Sequence, residues 1–292
     1  MDNKPNLKEF IKEVYRIWAT ERPGQLAAAL AYYGMFAFAP VIFIAFWVAG
    51  LFIDRLSAAD QFFTRIEAVL GPEVAILVRD SVISIAETTR ESSLIATIIS
   101  IVALLLAASG LFYQLQFALN KIWGVPTPES GQGSGLIRQR LFSFLMVLGV
   151  GVVLILASLV NIIISWFGSL FNLGSTMPVL NILGFLLIAT VAFAIIFKIL
   201  PEVRITWRDV WIGAFVTALL VFLALLIFGA YLSRGNVGSA VEAAGAFAVL
   251  LIGIYTIAQV FLFGAMFTRV FAAIYGSQAG MDTAASADEQ QP

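Results

Sequence analysis

The chain of 292 residues contains no cysteine and no histidine. The first absence excludes disulfides and thiolate metal sites. The second removes the commonest metal ligand, the usual general base and the usual switch near neutral pH. Charge is scarce as well. Only 12% of residues are Asp, Glu, Lys or Arg, against about a quarter in a soluble domain. The 17 basic and 18 acidic residues leave a net charge of −1, so no global basic field attracts nucleic acid. What is abundant is apolar surface: 61% of residues are hydrophobic and the mean hydropathy is +0.96. This composition excludes an ordinary soluble enzyme and a disordered chain. It predicts an all-α polytopic membrane protein.

The crossings follow from runs without charge. A spanning helix needs about 20 mostly apolar residues, because about 30 Å of hydrocarbon is crossed at about 1.5 Å per residue. Five runs lack Asp, Glu, Lys and Arg: Leu26–Ile53, Leu94–Asn120, Leu141–Phe197, Val210–Ser233 and Ala243–Thr268. The third, of 57 residues, is too long for one crossing. It carries a Gly, Asn, Ser and Pro cluster at Gly168–Pro178, typical of a turn. Divided there, the chain has six predicted spans, at about 26–53, 94–120, 141–167, 179–197, 210–233 and 243–268. None shows the alternation of barrel strands. Residues 1–25 form a separate cytoplasmic segment, 26–272 the membrane domain, and 273–292 a polar tail expected to be disordered.

Lysine and arginine set the orientation. One set of sides carries twelve, including Lys4, Lys8, Lys12, Arg16 and Arg22 before the first span; the other carries five. Both termini are therefore expected in the cytoplasm. Trp18, Trp123, Trp207 and Trp211 fall at inner ends, and Trp47 and Trp166 at or near outer ends, as amphipathic rings do.

Three pieces lie outside the spans. Leu7, Phe10, Ile11, Val14, Ile17 and Trp18 recur at helical spacing, with Lys8, Lys12 and Arg16 off that stripe. They predict an amphipathic helix that lies on the inner membrane surface or packs on the ends of the bundle. Between the first two spans, Phe62, Phe63, Ile66, Val69 and Leu70 mark a short helix. Gly71 and Pro72 break it. Val74, Leu77, Val78, Val82 and Ile85 mark a second amphipathic helix. This hairpin either caps a cavity or simply covers the bundle. The segment Gly124–Gly135 reads as a flexible linker, and its glycines do not form a phosphate loop.

No ionisable side chain other than tyrosine stands inside the predicted spans, so proton or sodium coupling has no carboxylate there. Neutral polar groups remain: Tyr32, Tyr33, Gln114, Gln116, Asn120, Asn161, Asn181, Tyr255 and Gln259. Each suits an interhelical hydrogen bond. Gln114, Gln116 and Asn120 also group near the inner interface, where they could line the entrance to a groove. Pro40 removes one backbone hydrogen bond from the first span, and either bends it beside a cavity or fits the packing. Gly213/Thr217 and Gly264/Thr268 have the small-xxx-small spacing of close helix contacts. Lys121, Arg138, Arg140, Lys198, Arg204 and Arg208 come from two inner connections. They either converge on an anionic headgroup or serve only topology.

Four stretches carry a resemblance: LAAALAYYGMFAFAP (Leu26–Pro40), FALNKIWGV (Phe117–Val125), ILPEVRITWRDVWIGA (Ile199–Ala214) and AQVFLFGAMFTRV (Ala258–Val270). In this order they resemble the YihY/BrkB family of bacterial inner-membrane proteins, from about Arg22 to Ala272. The resemblance implies a six-helix integral fold and a bacterial inner-membrane location. The family once carried a ribonuclease label, now regarded as a misassignment. It has been associated with virulence and serum resistance, and suspected of transport or envelope-lipid roles. Family members commonly have Gly-Ala-Glu where this chain has Gly264-Ala265-Met266, so a mechanism through that carboxylate is not available here. The residues themselves also argue against a nuclease. There is no histidine, and Glu202 and Asp209, seven residues apart, form no evident metal pair.

The sequence thus predicts no catalytic residue, no metal and no cofactor. The expected function is binding or passive translocation of an anionic lipid or a lipid-linked envelope precursor. Its expected groove or rim is Tyr32, Tyr33, Pro40, Gln114, Gln116, Asn120, Lys121, Arg138, Arg140, Arg204 and Arg208. Membrane lipids are the expected partners, with self-association left open. A non-catalytic scaffold and a weakly selective pore are the alternatives.

Overall fold

A computed structural model of the chain describes residues 7–49, 63–64, 66–67, 71–91, 109–125, 176–203, 205–234 and 242–276, with separate positions between 149 and 171. Among the described residues the regular elements are all helices: α1 (Leu7–Glu21), α2 (Pro23–Ala49), α3 (Pro72–Glu91), α4 (109–122), α5 (Met177–Ile199), α6 (Trp207–Arg234) and α7 (Glu242–Ile274). Four stretches are long and apolar enough to cross a membrane: Pro23–Phe43, Met177–Ile199, Trp207–Leu232 and Gly245–Ile274. The predicted spans 94–120 and 141–167 lie largely outside the described residues. Their described parts, α4 and the positions between 149 and 171, are helical. The predicted tail lies outside them from residue 277 onward.

The helices outrun the charge-free runs that announced them. α6 begins at Trp207 and takes in Arg208 and Asp209, and α7 continues past Arg269 to Ile274. A charge ends an apolar run but not a helix, because at a membrane surface a long cation carries its head to water or to a carbonyl. The breaks follow local chemistry. Arg22 has φ 46° and separates α1 from Pro23, the first residue of α2. Gly71 has φ 90°, its N–H bonds Glu67 O at 3.0 Å, and Pro72 opens α3. This is the predicted end and restart, and it needs a residue that tolerates positive φ. α5 likewise opens on Met177 and Pro178, at the predicted turn.

α7 is the axis. It packs against α1, α2, α3 and α6, while α5 packs mainly on α6 and reaches α7 through Phe193 and Phe197. The crossing of α6 and α7 is an antiparallel interlock. A Cβ placed on Gly213 would fall within the Thr268 side chain, and one on Gly264 within Thr217. Both threonines are fully buried, and each donates its hydroxyl to its own helix, Thr217 to Gly213 O and Thr268 to Gly264 O, both at 2.7 Å. Each helix offers a glycine notch to the other's threonine, so the two small-xxx-small faces are used on one another. Pro40 is buried within α2, which remains continuous.

Two cores form along α7. The larger joins Phe10, Val14 and Ile17 of α1 to Leu26, Ala27 and Leu30 of α2. It continues through Leu119 and Ile122 of α4, Phe197 of α5, Val210 of α6 and Phe261 to Ala272 of α7. Aromatic rings thread it: Phe10 meets Phe267 at 5.1 Å, Trp18 meets Phe263 at 5.8 Å, and Phe197 meets Phe261 at 5.1 Å. The predicted amphipathic helix therefore packs its main apolar stripe on the end of the bundle. The smaller core joins Ile42 of α2, Phe63, Ile66, Val74, Ala75 and Val78 of the hairpin, and Ala246 and Leu250 of α7. The hairpin thus covers the bundle with its apolar face; Phe62, Val69 and Leu70 lie outside the described residues.

Candidate functional site at the basic end of the bundle

The charged residues of the four described spans gather at one end. They are Lys198, Arg208 and Asp209 in terminal turns, and Arg269 one turn before the end of α7. The end of α4 brings them into register. Gly124 adopts φ 69°, its N–H bonds Lys121 O at 3.1 Å, and Val125 N–H reaches Asn120 O at 2.9 Å. This paired closure satisfies two of the carbonyls that a helix end leaves open. Arg269 of α7 supplies a third donor, bonding Ile122 O across the helix pair. A cation at a helix C-terminus also opposes the negative end of the helix dipole.

The connection from α5 to α6 is fastened to the same end. Asn120 is buried, and its Oδ1 accepts the backbone N–H of Glu202 at 2.9 Å. Gln116, one turn earlier, donates Nε2 to Glu202 Oε1 at 3.4 Å. Lys198 bonds Ile205 O, and its ammonium stands 5.8 Å from the centre of the Trp207 ring. Thr206 donates to Asp209 Oδ2 at 2.9 Å, the first-turn pairing in which a threonine precedes a carboxylate by three residues. Asp209 is only 3% exposed and lies so close to Gly276 that a Cβ there would stand 2.6 Å from its carboxylate. No group of three or more acidic side chains among the described residues could hold a metal.

The predicted residues divide into two places. Gln116, Asn120, Lys121 and Arg208 share the basic end, and Lys121 and Arg208 are exposed there. Gln114 is half-buried, two residues before Gln116 on α4. Tyr32 and Tyr33 stand elsewhere. A Cβ on Gly110 would lie 3.3 Å from the Tyr33 ring, ten residues and about 15 Å along α4 from Asn120. Tyr32 stacks edge-on with Phe36 at 5.1 Å, on an exposed face of α2. Arg138, Arg140 and Arg204 lie outside the described residues. Trp123, expected at the interface, is 8% exposed, and its indole N–H has no hydrogen-bond partner among the described residues. Met266, where the resemblance sets a glutamate, is fully buried.

Sequence reasoning missed the cap by Arg269 and the tie from Lys198 to Ile205. Counting cations by side places Arg269 among the topology charges and Lys198 among the candidates for an anionic headgroup, and neither reading contains these bonds. The pairing of Thr206 with Asp209 was legible in the spacing Thr-Trp-Arg-Asp but went unread.

Comparison with known proteins agrees with this architecture. The chain is 26% identical over 267 residues to a UPF0761 membrane protein of Pseudomonas paraeruginosa, covering 88% of this chain and 61% of the relative. It is 26% identical over 248 residues to a UPF0761 membrane protein of Rhodospirillum centenum, covering 83% and 53%. A third, from Azotobacter vinelandii, is 23% identical over 226 residues, covering 77% and 53%. The chain spans 61% or less of the length of these relatives. No solved structure matches. The virulence factor BrkB family matches residues 14–288, nearly the whole chain, and this membrane protein therefore belongs to it.

Proposed function

We propose that the protein binds an anionic amphiphile, a phospholipid or a lipid-linked envelope precursor, at its basic end, and passes it across or along the membrane without an energy source of its own. One observation carries this reading: Lys198, Arg208 and Arg269 of three different helices meet at one end, and Lys121 and Arg208 are exposed there beside a connection already fixed by Asn120, Gln116 and Lys198. A rigid, hydrogen-bonded frame with outward cations suits a phosphate headgroup. The uncharged remainder suits acyl chains and offers no group for ion coupling. Six crossings, an inner-membrane location, cytoplasmic termini and the rim residues Arg138, Arg140 and Arg204 belong to the same proposal. So does the absence of catalysis. The scaffold alternative loses one support, since the small-residue faces of α6 and α7 already hold each other.

The test is lipid mass spectrometry on purified protein, against an unrelated helical membrane protein prepared identically. Enrichment of an anionic lipid, lost in Lys121→Ala with Arg208→Ala, is the expected result. A profile equal to the control overturns the proposal.

A further inference from the structure

α1 carries a second surface that the bundle does not use. Its residues sort into three stripes by the three- and four-residue spacing of a helix. Phe10, Val14, Ile17 and Glu21 face the bundle; the first three are buried in its core and Glu21 is half-buried. Glu9, Glu13, Arg16 and Thr20 form one outer flank, on which Arg16 pairs with Glu13. Lys8, Ile11, Lys12, Tyr15 and Ala19 form the other. On that flank Ile11 is 59% exposed and Tyr15 71% exposed, with Lys8 and Lys12 exposed beside them. It holds two cations and no acidic residue, whereas the opposite flank holds two carboxylates and one arginine.

The depth of this flank follows from its neighbours. Phe10 packs on Phe267 and Tyr275, and Trp18 on Phe263. Ile11 and Tyr15 are therefore level with residues 263–275 of α7. That is the level at which Arg269 closes the end of α4 and where Lys121 is exposed. The span of α7 ends at Ile274, within that level, and only Arg22 separates α1 from the spanning helix α2. A tyrosine and an isoleucine flanked by lysines at the end of the spans match the headgroup layer. The rings and methyls enter the acyl boundary, while the ammonium groups reach phosphate.

We propose that the Lys8–Ala19 flank of α1 docks on anionic phospholipid headgroups, so that α1 lies half-sunk in the interface with its acidic flank toward water. Each lysine adds about a fivefold preference for an anionic over a neutral surface. This surface is distinct from the Lys121 and Arg208 rim, and either can fail alone.

The chain has no cysteine, so one introduced cysteine gives one label. Full-length Tyr15→Cys and Thr20→Cys, each spin-labelled, are reconstituted in vesicles of phosphatidylglycerol with phosphatidylethanolamine, and in phosphatidylcholine alone. Collisions with oxygen and with a water-soluble nickel chelate read the depth. The expected result is a label at 15 that favours oxygen and a label at 20 that favours the chelate, in the anionic vesicles. Lys8→Glu with Lys12→Glu shifts the label at 15 toward the chelate there and leaves it unchanged in phosphatidylcholine. Equal accessibility at 15 and 20 overturns the docking. Depth at 15 that ignores both lipid charge and the lysine changes overturns the anionic headgroup. Both labelled positions are exposed, and an unchanged elution volume and helicity confirm the fold before labelling.

Discussion

The two cores along α7 are built differently. The basic half is rich in aromatic rings and is stitched by directional bonds between elements: Asn120 to Glu202, Lys198 to Ile205, Arg269 to Ile122. The far half joins the hairpin to α2 and α7 through aliphatic side chains such as Ile42, Val74, Val78 and Leu250. Two of its polar contacts lie within the hairpin: Ser81 bonds Leu77 O in α3, and Arg79 stands 5.2 Å from the Phe63 ring. Hydrogen bonds fix register and angle, whereas apolar area alone fixes only proximity. The basic half is therefore held in register by directional bonds as well as packing, whereas the described core under the hairpin rests on apolar area.

The largest test bears on the seam between α6 and α7. Gly264→Leu drives a side chain into the Thr217 position and should abolish the folded protein, read as loss of monodisperse material in detergent. Gly264→Ala should cost about 1–3 kcal/mol by overpacking. Adding Thr217→Ala should recover part of that loss in thermal melts, and a double variant no better than the single would break the interlock reading. Phe10→Ala, in the basic core, should cost about 3–5 kcal/mol. Val74→Ala, in the far core, should cost roughly 1.5 kcal/mol for two buried methyl groups. It should also speed hydrogen exchange in α3 without changing that of α1. Similar exchange at both ends would erase the contrast between them. The smallest effect is Asn120→Ala. Losing one acceptor for the Glu202 N–H should cost about 1 kcal/mol and raise protease sensitivity at residues 200–206.

Sequence and structure agree where chemistry is local. Charge-free runs located α2, α5, α6 and α7 because hydrocarbon sets their length. Gly71-Pro72 announced its own break, and the glycine and threonine spacing of α6 and α7 announced close contact. The sequence could not say that the two spacings meet each other, since helix order around a bundle leaves no trace in periodicity. For the same reason it gathered Tyr32 and Tyr33 with Asn120, although they sit at different depths. The bonds of Arg269 and Lys198 left no sign in the sequence, because a count of cations cannot separate one aimed at a carbonyl from one facing water. Trp123 lies at the helix end as expected, and its burial was not legible because another helix covers that end.

The central position of α7 has a consequence for biogenesis. It is the last of the described helices to leave the ribosome, and it forms a wall of both cores. Until it inserts, Phe10 lacks the rings of Phe267 and Tyr275, and the smaller core lacks Ala246 and Leu250. Before that, α5 already packs on α6 and α2 on α3, but among the described residues nothing joins these pairs to each other along a common helix. The two cores close in one late event, and a chain cut short before Glu242 can complete neither.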